Sequence, residues 1–195
     1  MSYDLLAYFE DKDLERDMNS YFNQAFGVGN KQMYATALSG IGYFNAPASK
    51  GHHLAKRGGL LRHSVNVTRR LVALTDAFGV SWPRKESPYL VGMLHDLVKC
   101  RCYRAVEGAG PAWEYVQPEY HGHGACSVAI AAELGIRLMR EEIAAIMFHM
   151  GPWGVDKEYS EGEFRAAMRV FSPFIIATHT ADWYAAEVDE REVES

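Results

Sequence analysis

The sequence predicts an all-α fold, a helical bundle carrying one small β-hairpin, on three observations. Apolar residues recur at helical spacing along most of the chain. Glycine and proline break the chain between several of those segments, at Gly27 and Gly29, at Gly79 and at Gly151-Pro152. Only residues 103–106 and 113–117 carry short β-type runs, and Gly108, Gly110 and Pro111 between them fit a hairpin turn. At 195 residues the chain is one domain, read as a helical extension over 1–39 and a core over 40–190. It is long enough to bury a substantial interior.

The elements follow in order. Residues 1–26 read as a helix, with Leu5, Leu6, Phe9, Leu14, Met18, Tyr21 and Phe22 near helical spacing and Gly27, Gly29 and Asn30 ending it. A short helix over 31–39 precedes an irregular stretch from Gly40 to Gly51. Leu60 to Phe78 is the clearest helix, stopped by Gly79. Residues 88–99 are apolar on nearly every side, which predicts a buried central helix. After the hairpin come helices at about 122–135 and 140–150, then a Gly-Pro-Trp-Gly break. Two last helices are expected over 160–170 and 173–190, with Pro173 in the first turn of the second.

Composition narrows the function classes. Hydrophobic residues make up 48% and charged residues 23%, which excludes a disordered tail, a collagen-like fibre or a disulfide scaffold. No apolar run approaches the ~18 residues of a membrane span. The acidic N-terminal stretch, MSYDLLAYFEDKDLERD, does not read as a signal peptide, and a cytoplasmic protein is expected. A formal net charge of −5 disfavours long nucleic acid, whose phosphates call for basic partners. Cys100, Cys102 and Cys126 lack the C-x-x-C spacing of zinc or redox motifs and read as reduced, small core side chains. Oligomeric state is left open by the sequence.

The histidines carry the chemistry. His63 shares a stripe with Leu60, Val67, Leu71 and Leu74, so it points inward. His95 and Asp96 end the apolar segment; His123 lies on the face of Ser127 and Ile130. His149 follows Ala145 and Ile146, and Asp182 follows Ile175 and Thr178. A buried imidazole or carboxylate is costly without a partner. A single one is readily satisfied by a hydrogen bond, but six on five inward faces are hard to satisfy separately. Convergence on divalent cations resolves this, and the donor set suits iron, manganese, zinc, nickel or cobalt.

His63, His95-Asp96 and Asp182 form an H…HD…D pattern that resembles the HD-domain metal-dependent phosphohydrolase superfamily. The likeness extends over Ala46-Pro-Ala-Ser, His53, Gly58-Gly-Leu-Leu, Leu94-His-Asp-Leu-Val-Lys, Gly122-His-Gly and His149-Met-Gly, covering roughly residues 40–190. It is similar to a small single-domain bacterial and phage branch, and to the HD module of bacterial 3′–5′ exoribonucleases. Arg62 stands where many relatives carry an acidic residue.

The resemblance implies that His63, His95, Asp96 and Asp182 hold one metal. Asp96 would bridge to a second held by His123 and His149. It implies two divalent cations (manganese, iron, nickel, cobalt, zinc or magnesium) about 3.5–4 Å apart, activating a hydroxide against phosphorus. Asp96 and Lys99 are then the catalytic residues. Lys99, one turn after His95, serves as phosphate clamp or leaving-group donor, or else is a solvated helix-end lysine. His53 is a candidate for substrate contact or general acid, or a surface residue, as is its neighbour His52. His121 reads as rim or surface, and His179 as a support for Asp182 or a satisfied core histidine. Trp153 reads as core packing, a lid anchor or a base-stacking ring; Lys56 and Arg57 read as solvated loop charges or phosphate contacts. The expected function is hydrolysis of a phosphoester in a nucleotide or short oligonucleotide. A diiron oxygenase of the same superfamily, or a non-catalytic metal-stabilised nucleotide-binding module, uses the same residues.

Overall fold

In the computed structural model, residues 12–51, 54–106, 113–118 and 122–191 are described. The first helix, α1 (Lys12–Phe26), buries Leu14, Met18, Phe22, Ala25 and Phe26, an i, i+4, i+8, i+11, i+12 stripe. Residues 1–11 of the helix expected over 1–26 lie outside the described residues. The helix α2 (Lys31–Gly40) follows, and Tyr43 and Phe44 then enter the same apolar interior. The segments before residue 40 thus share one core with the rest.

The centre of the molecule is α3 (Gly59–Phe78), packed against α4 (Ser87–Leu94) and α8 (Glu161–Tyr184). Its buried face holds Leu60, Leu61, Val65, Val67 and Leu71, with His63 among them. A short α5 (Lys99–Cys102) leads into an antiparallel hairpin of β1 (Tyr103–Ala105) and β2 (Trp113–Tyr115), in the register Tyr103↔Tyr115. Helices α6 (His123–Glu133) and α7 (Arg140–Met147) pack together, and α7 lies against α8. Mostly helical with one hairpin, the chain has the expected fold class. Among the described residues no helix is long and apolar enough to cross a membrane. Cys102 and Cys126 are buried free thiols, and Cys100 is a partly buried one.

An ion pair from Arg84, just before α4, and a hydrogen bond from Ser87 in its first turn tie this segment to α7. Glu142 is fully buried and accepts from Arg84 Nε and Nη2 and from Ser87 Oγ, each at 2.7 Å, and from the Met139 backbone N–H at 2.7 Å. The carboxylate has donors on both oxygens, the condition under which a buried charge is tolerated.

Three boundaries differ from the sequence reading. The segment 88–99 is not one helix: α4 stops at Leu94 and residues 95–98 form tight turns before α5. The bonds Leu97 N–H to Leu94 O and Lys99 N–H to Asp96 O span three residues rather than four. The helix expected over 140–150 ends at Met147, leaving His149 in the following turn. The helices expected over 160–170 and 173–190 are a single α8 with Pro173 inside it, continuing as a π-helical turn over Ala185–Asp189. Proline in a helix interior costs about 3 kcal/mol or more. Here Ala167 before it, and Ile175, Ala177, Thr178 and Ala181 after it, are buried, so packing on both sides outweighs the lost bond.

Candidate metal centre

Five segments meet at one point. His63 is in mid-helix on α3; His95 and Asp96 occupy the tight turns after α4. His123 opens α6, His149 lies in the turn after α7, and Asp182 is on α8. Helix ends and turns let adjacent His95 and Asp96 aim at the same place, which a straight helix would not.

Two close backbone approaches set the far side. A Cβ on Gly124 would lie 2.3 Å from the Ile146 carbonyl oxygen and 2.5 Å from that of Met147, so only glycine lets α6 press onto the end of α7. This brings the His123 and His149 rings to 5.8 Å between centroids. Gly151, at φ +57°, lies under the His179 ring, where a Cβ would approach to 2.7 Å. His179 Nδ1 is 2.8 Å from the His149 carbonyl. His179 therefore holds the His149 turn rather than Asp182.

The ring nitrogens are sorted by their outer partners. His63 Nδ1 donates to the Glu190 carboxylate, 3.1 Å from each oxygen, leaving Nε2 for the interior. His95 Nδ1 donates to the Gly92 carbonyl at 2.9 Å and His149 Nδ1 to the Ile146 carbonyl at 2.7 Å. Each of the three rings thus presents Nε2 inward, the arrangement in which outer carbonyls and carboxylates orient metal-binding imidazoles.

Those inward atoms converge on Asp96 and Asp182. His63 Nε2 is 3.1 Å from Asp182 Oδ1 and 3.3 Å from His95 Nε2. Asp96 Oδ2 faces His63 and His95 at 3.8 and 3.7 Å. Asp96 Oδ1 faces His123 and His149 at 2.8 and 3.6 Å. Asp96 Oδ1 and His123 Nε2 are 2.8 Å apart, yet neither of these buried atoms has an aligned hydrogen-bond partner among the described residues. Orphaned donors and acceptors of this kind are rare, and a cation between them would satisfy both.

Charge in the cluster is redistributed strongly. Burial opposes the charged form of His63, but the hydrogen-bonded carboxylates of Asp182 and Glu190 prevail and lift it to about 10. Burial also opposes the His149 imidazolium, and Asp96 overcomes it, giving about 9. Burial pushes His95 down to about 4. Burial alone would raise Asp96 and Asp182; Lys99 and His123 hold Asp96 well below the carboxylate range, and His63 and His95 do so for Asp182. His63, His95 and Asp96, and likewise His95, His149 and Asp182, place donor atoms within 4.8 Å of one another. Nitrogen and carboxylate donors in this number fit a divalent first-row cation, so the cluster can hold a metal ion.

A cavity of about 220 Å³ opens onto the cluster, and Lys99, Trp153 and Trp183 line it together with His63, Asp96, His123, His149 and Asp182. Lys99 keeps its charge: burial opposes it, but Asp96 raises its pKa. Its Nζ also sits 6.0 Å from the centre of the Tyr103 ring. Trp153 is not a core residue, being 61% exposed. Arg57 Nε donates to Asn45 at 2.8 Å, and Lys56 lines a separate cavity beside Arg62 and Arg69, away from the donors. His52, His53 and His121 lie outside the described residues.

Glu190 is the participant that sequence reasoning missed. It is 6% exposed, receives His63 Nδ1, and also accepts from Asn66 Nδ2 at 3.0 Å. It lies 127 residues from His63, in a C-terminal run of acidic residues that reads as solvated. No family model matches the chain, and neither do the curated proteins or the solved structures.

Proposed function

We propose that the chain is a metal-dependent phosphohydrolase of the HD type, cleaving a phosphoester of a nucleotide or short oligonucleotide at a two-metal centre. The observation that carries this reading is the division of Asp96. One carboxylate oxygen faces His63 and His95, the other faces His123 and His149, and Asp182 stands beside the first pair. A carboxylate shared between two imidazole pairs is the donor pattern of a bridged pair of cations. Divalent cations bound there supply an acidified water and positive charge for the oxygens of a phosphate.

The chain's own residues do the rest. Lys99 brings a permanent ammonium into the same cavity, where it can clamp a phosphate oxygen or offset charge on a leaving group. Glu190, Gly92 and Ile146 fix the rings of His63, His95 and His149 so that the Nε2 atoms need no reorganisation. The small cavity, about 220 Å³, and the net charge of −5 both favour a small substrate over a polynucleotide.

The test is a panel of nucleotides and dinucleotides offered to protein loaded with manganese, with products resolved by chromatography. Release of phosphate or of a mononucleotide, lost in Asp96→Asn, supports the proposal. Bound iron with oxygen consumption and no hydrolysis would assign the centre to oxygenase chemistry. Bound metal with neither reaction would make it a binding module.

A further inference from the structure

The cavity over the donor cluster is flanked by two indoles that the protein leaves uncovered. Trp153 belongs to the 3₁₀ turn Gly151–Gly154, and Trp183 follows Asp182 on α8. Both line the same cavity as Asp96, His149 and Lys99. Trp153 is 61% and Trp183 57% exposed, against an interior that buries Tyr43 completely. Large apolar rings normally find cover, and here two remain open at the mouth of one polar site.

The turn carrying Trp153 is firmly held. Tyr159 Oη donates to the Gly151 carbonyl at 2.6 Å, and a Cβ on Gly154 would lie 2.4 Å from that same hydroxyl. Tyr159 stacks on Phe164 at 5.7 Å and packs against Phe148 at 4.8 Å. His179 fixes the preceding carbonyl of His149. Phe148, Tyr159 and Phe164 pack on one another, and Trp153 is left outside that group. An exposed ring on a rigid support is pre-organised for contact with a planar ligand.

We infer that Trp153 and Trp183 are the base-stacking platform of this site, recognising the flat face of a nucleobase whose phosphate reaches the His/Asp cluster. The inference rests on the phosphohydrolase reading and deepens it. Among the described residues the cavity lining contains no Asn, Gln or Arg to read the edge of a base. The polar lining is taken up by the donor cluster, by Lys99 and by His179, which holds the His149 carbonyl, so recognition is chiefly through ring faces, which every base possesses. The site should accept several bases, purines more tightly than pyrimidines because the stacked area is larger, and should discriminate against phosphates that carry no ring.

Calorimetric titration of manganese-loaded protein with AMP, CMP, ribose 5-phosphate and adenosine tests this, with the chelator-stripped protein run beside it as the form that does not turn over. Wild-type protein should bind AMP more tightly than ribose 5-phosphate, and CMP in between. Trp153→Ala and Trp183→Ala should each weaken AMP ~5–100-fold and leave ribose 5-phosphate unchanged, with partial recovery in Trp153→Phe. Equal affinity of wild-type protein for AMP and ribose 5-phosphate would overturn the inference, as would unchanged AMP binding in both alanine variants. Binding of adenosine that depends on Trp153, with no extra affinity from the phosphate of AMP, would leave the platform standing while removing the phosphohydrolase reading. Failure of all four compounds to bind overturns both.

Discussion

Replacing Glu190 by glutamine removes one negative charge while keeping the shape of a side chain that never touches the proposed metals. In the native chain its two oxygens each lie 3.1 Å from His63 Nδ1, and Asn66 anchors the carboxylate at 3.0 Å. Loss of such an outer partner typically weakens metal affinity ~10–100-fold. At a manganese concentration 100 times the wild-type Kd, binding stabilises the fold by about 2.7 kcal/mol. With Kd weakened by that factor, the same concentration gives roughly 1.4 down to 0.4 kcal/mol. At ~2–4 °C per kcal/mol for a chain of this size, manganese should raise the wild-type Tm by ~5–11 °C and that of Glu190→Gln by only ~1–6 °C. The assay is a thermal melt of chelator-stripped protein with and without manganese. Asp189→Asn is the control, because Asp189 pairs with Arg70 rather than His63 and its loss should leave the metal-induced shift intact. An identical shift in wild-type protein and Glu190→Gln would refute the idea that Glu190 tunes His63.

Further expectations follow from the same geometry. Lys99→Ala should retain metal yet lose about 10²–10³ in rate, checked by metal analysis beside steady-state kinetics; unchanged turnover would return Lys99 to an ordinary charged side chain. His63 and His149 have folded values of about 10 and about 9, above the unfolded value of 6.5. Their contribution to the metal-free fold is therefore complete below pH 6.5 and lost as pH rises through 9 to 10. Because both must shed protons to ligate, metal binding at pH 7 should release protons and tighten as pH rises, measurable by calorimetry in buffers of differing ionisation enthalpy. Arg84→Met leaves Glu142 buried without its cation and should cost about 3–5 kcal/mol in a urea melt. Gly124→Ala must push α6 off the carbonyls of Ile146 and Met147, and a loss of ~1–3 kcal/mol with weaker metal binding is expected.

Much of this architecture was legible in the chain. The stripe through Leu60, His63, Val67 and Leu71 defined α3 and its inward histidine, because helical period and burial agree there. The hairpin was legible from its β-type runs and intervening glycines. Less legible were ends set by tertiary contact: the tightening after Leu94 and the passage of α8 through Pro173 are decided by packing that no local window contains. Spacing placed His63, His95, Asp96, His149 and Asp182 on inward faces, and in the structure they meet, with His123 against Asp96. Glu190 escaped because its partnership with His63 depends on α8 ending in a π-helical turn that folds an acidic terminus back onto α3. The openness of Trp153 escaped too, since an aromatic beside glycine and proline reads equally as a core anchor.

The account turns on whether Asp96 joins two cation sites. The direct measurement is metal stoichiometry, by elemental analysis after equilibrium dialysis of chelator-stripped protein against excess manganese. Two equivalents per chain are predicted for the wild-type protein, one for His123→Ala, and none or a trace for Asp96→Ala. One equivalent in wild-type protein would contradict the bridged pair, and no bound metal, or occupancy untouched by Asp96→Ala, would contradict the metal centre itself.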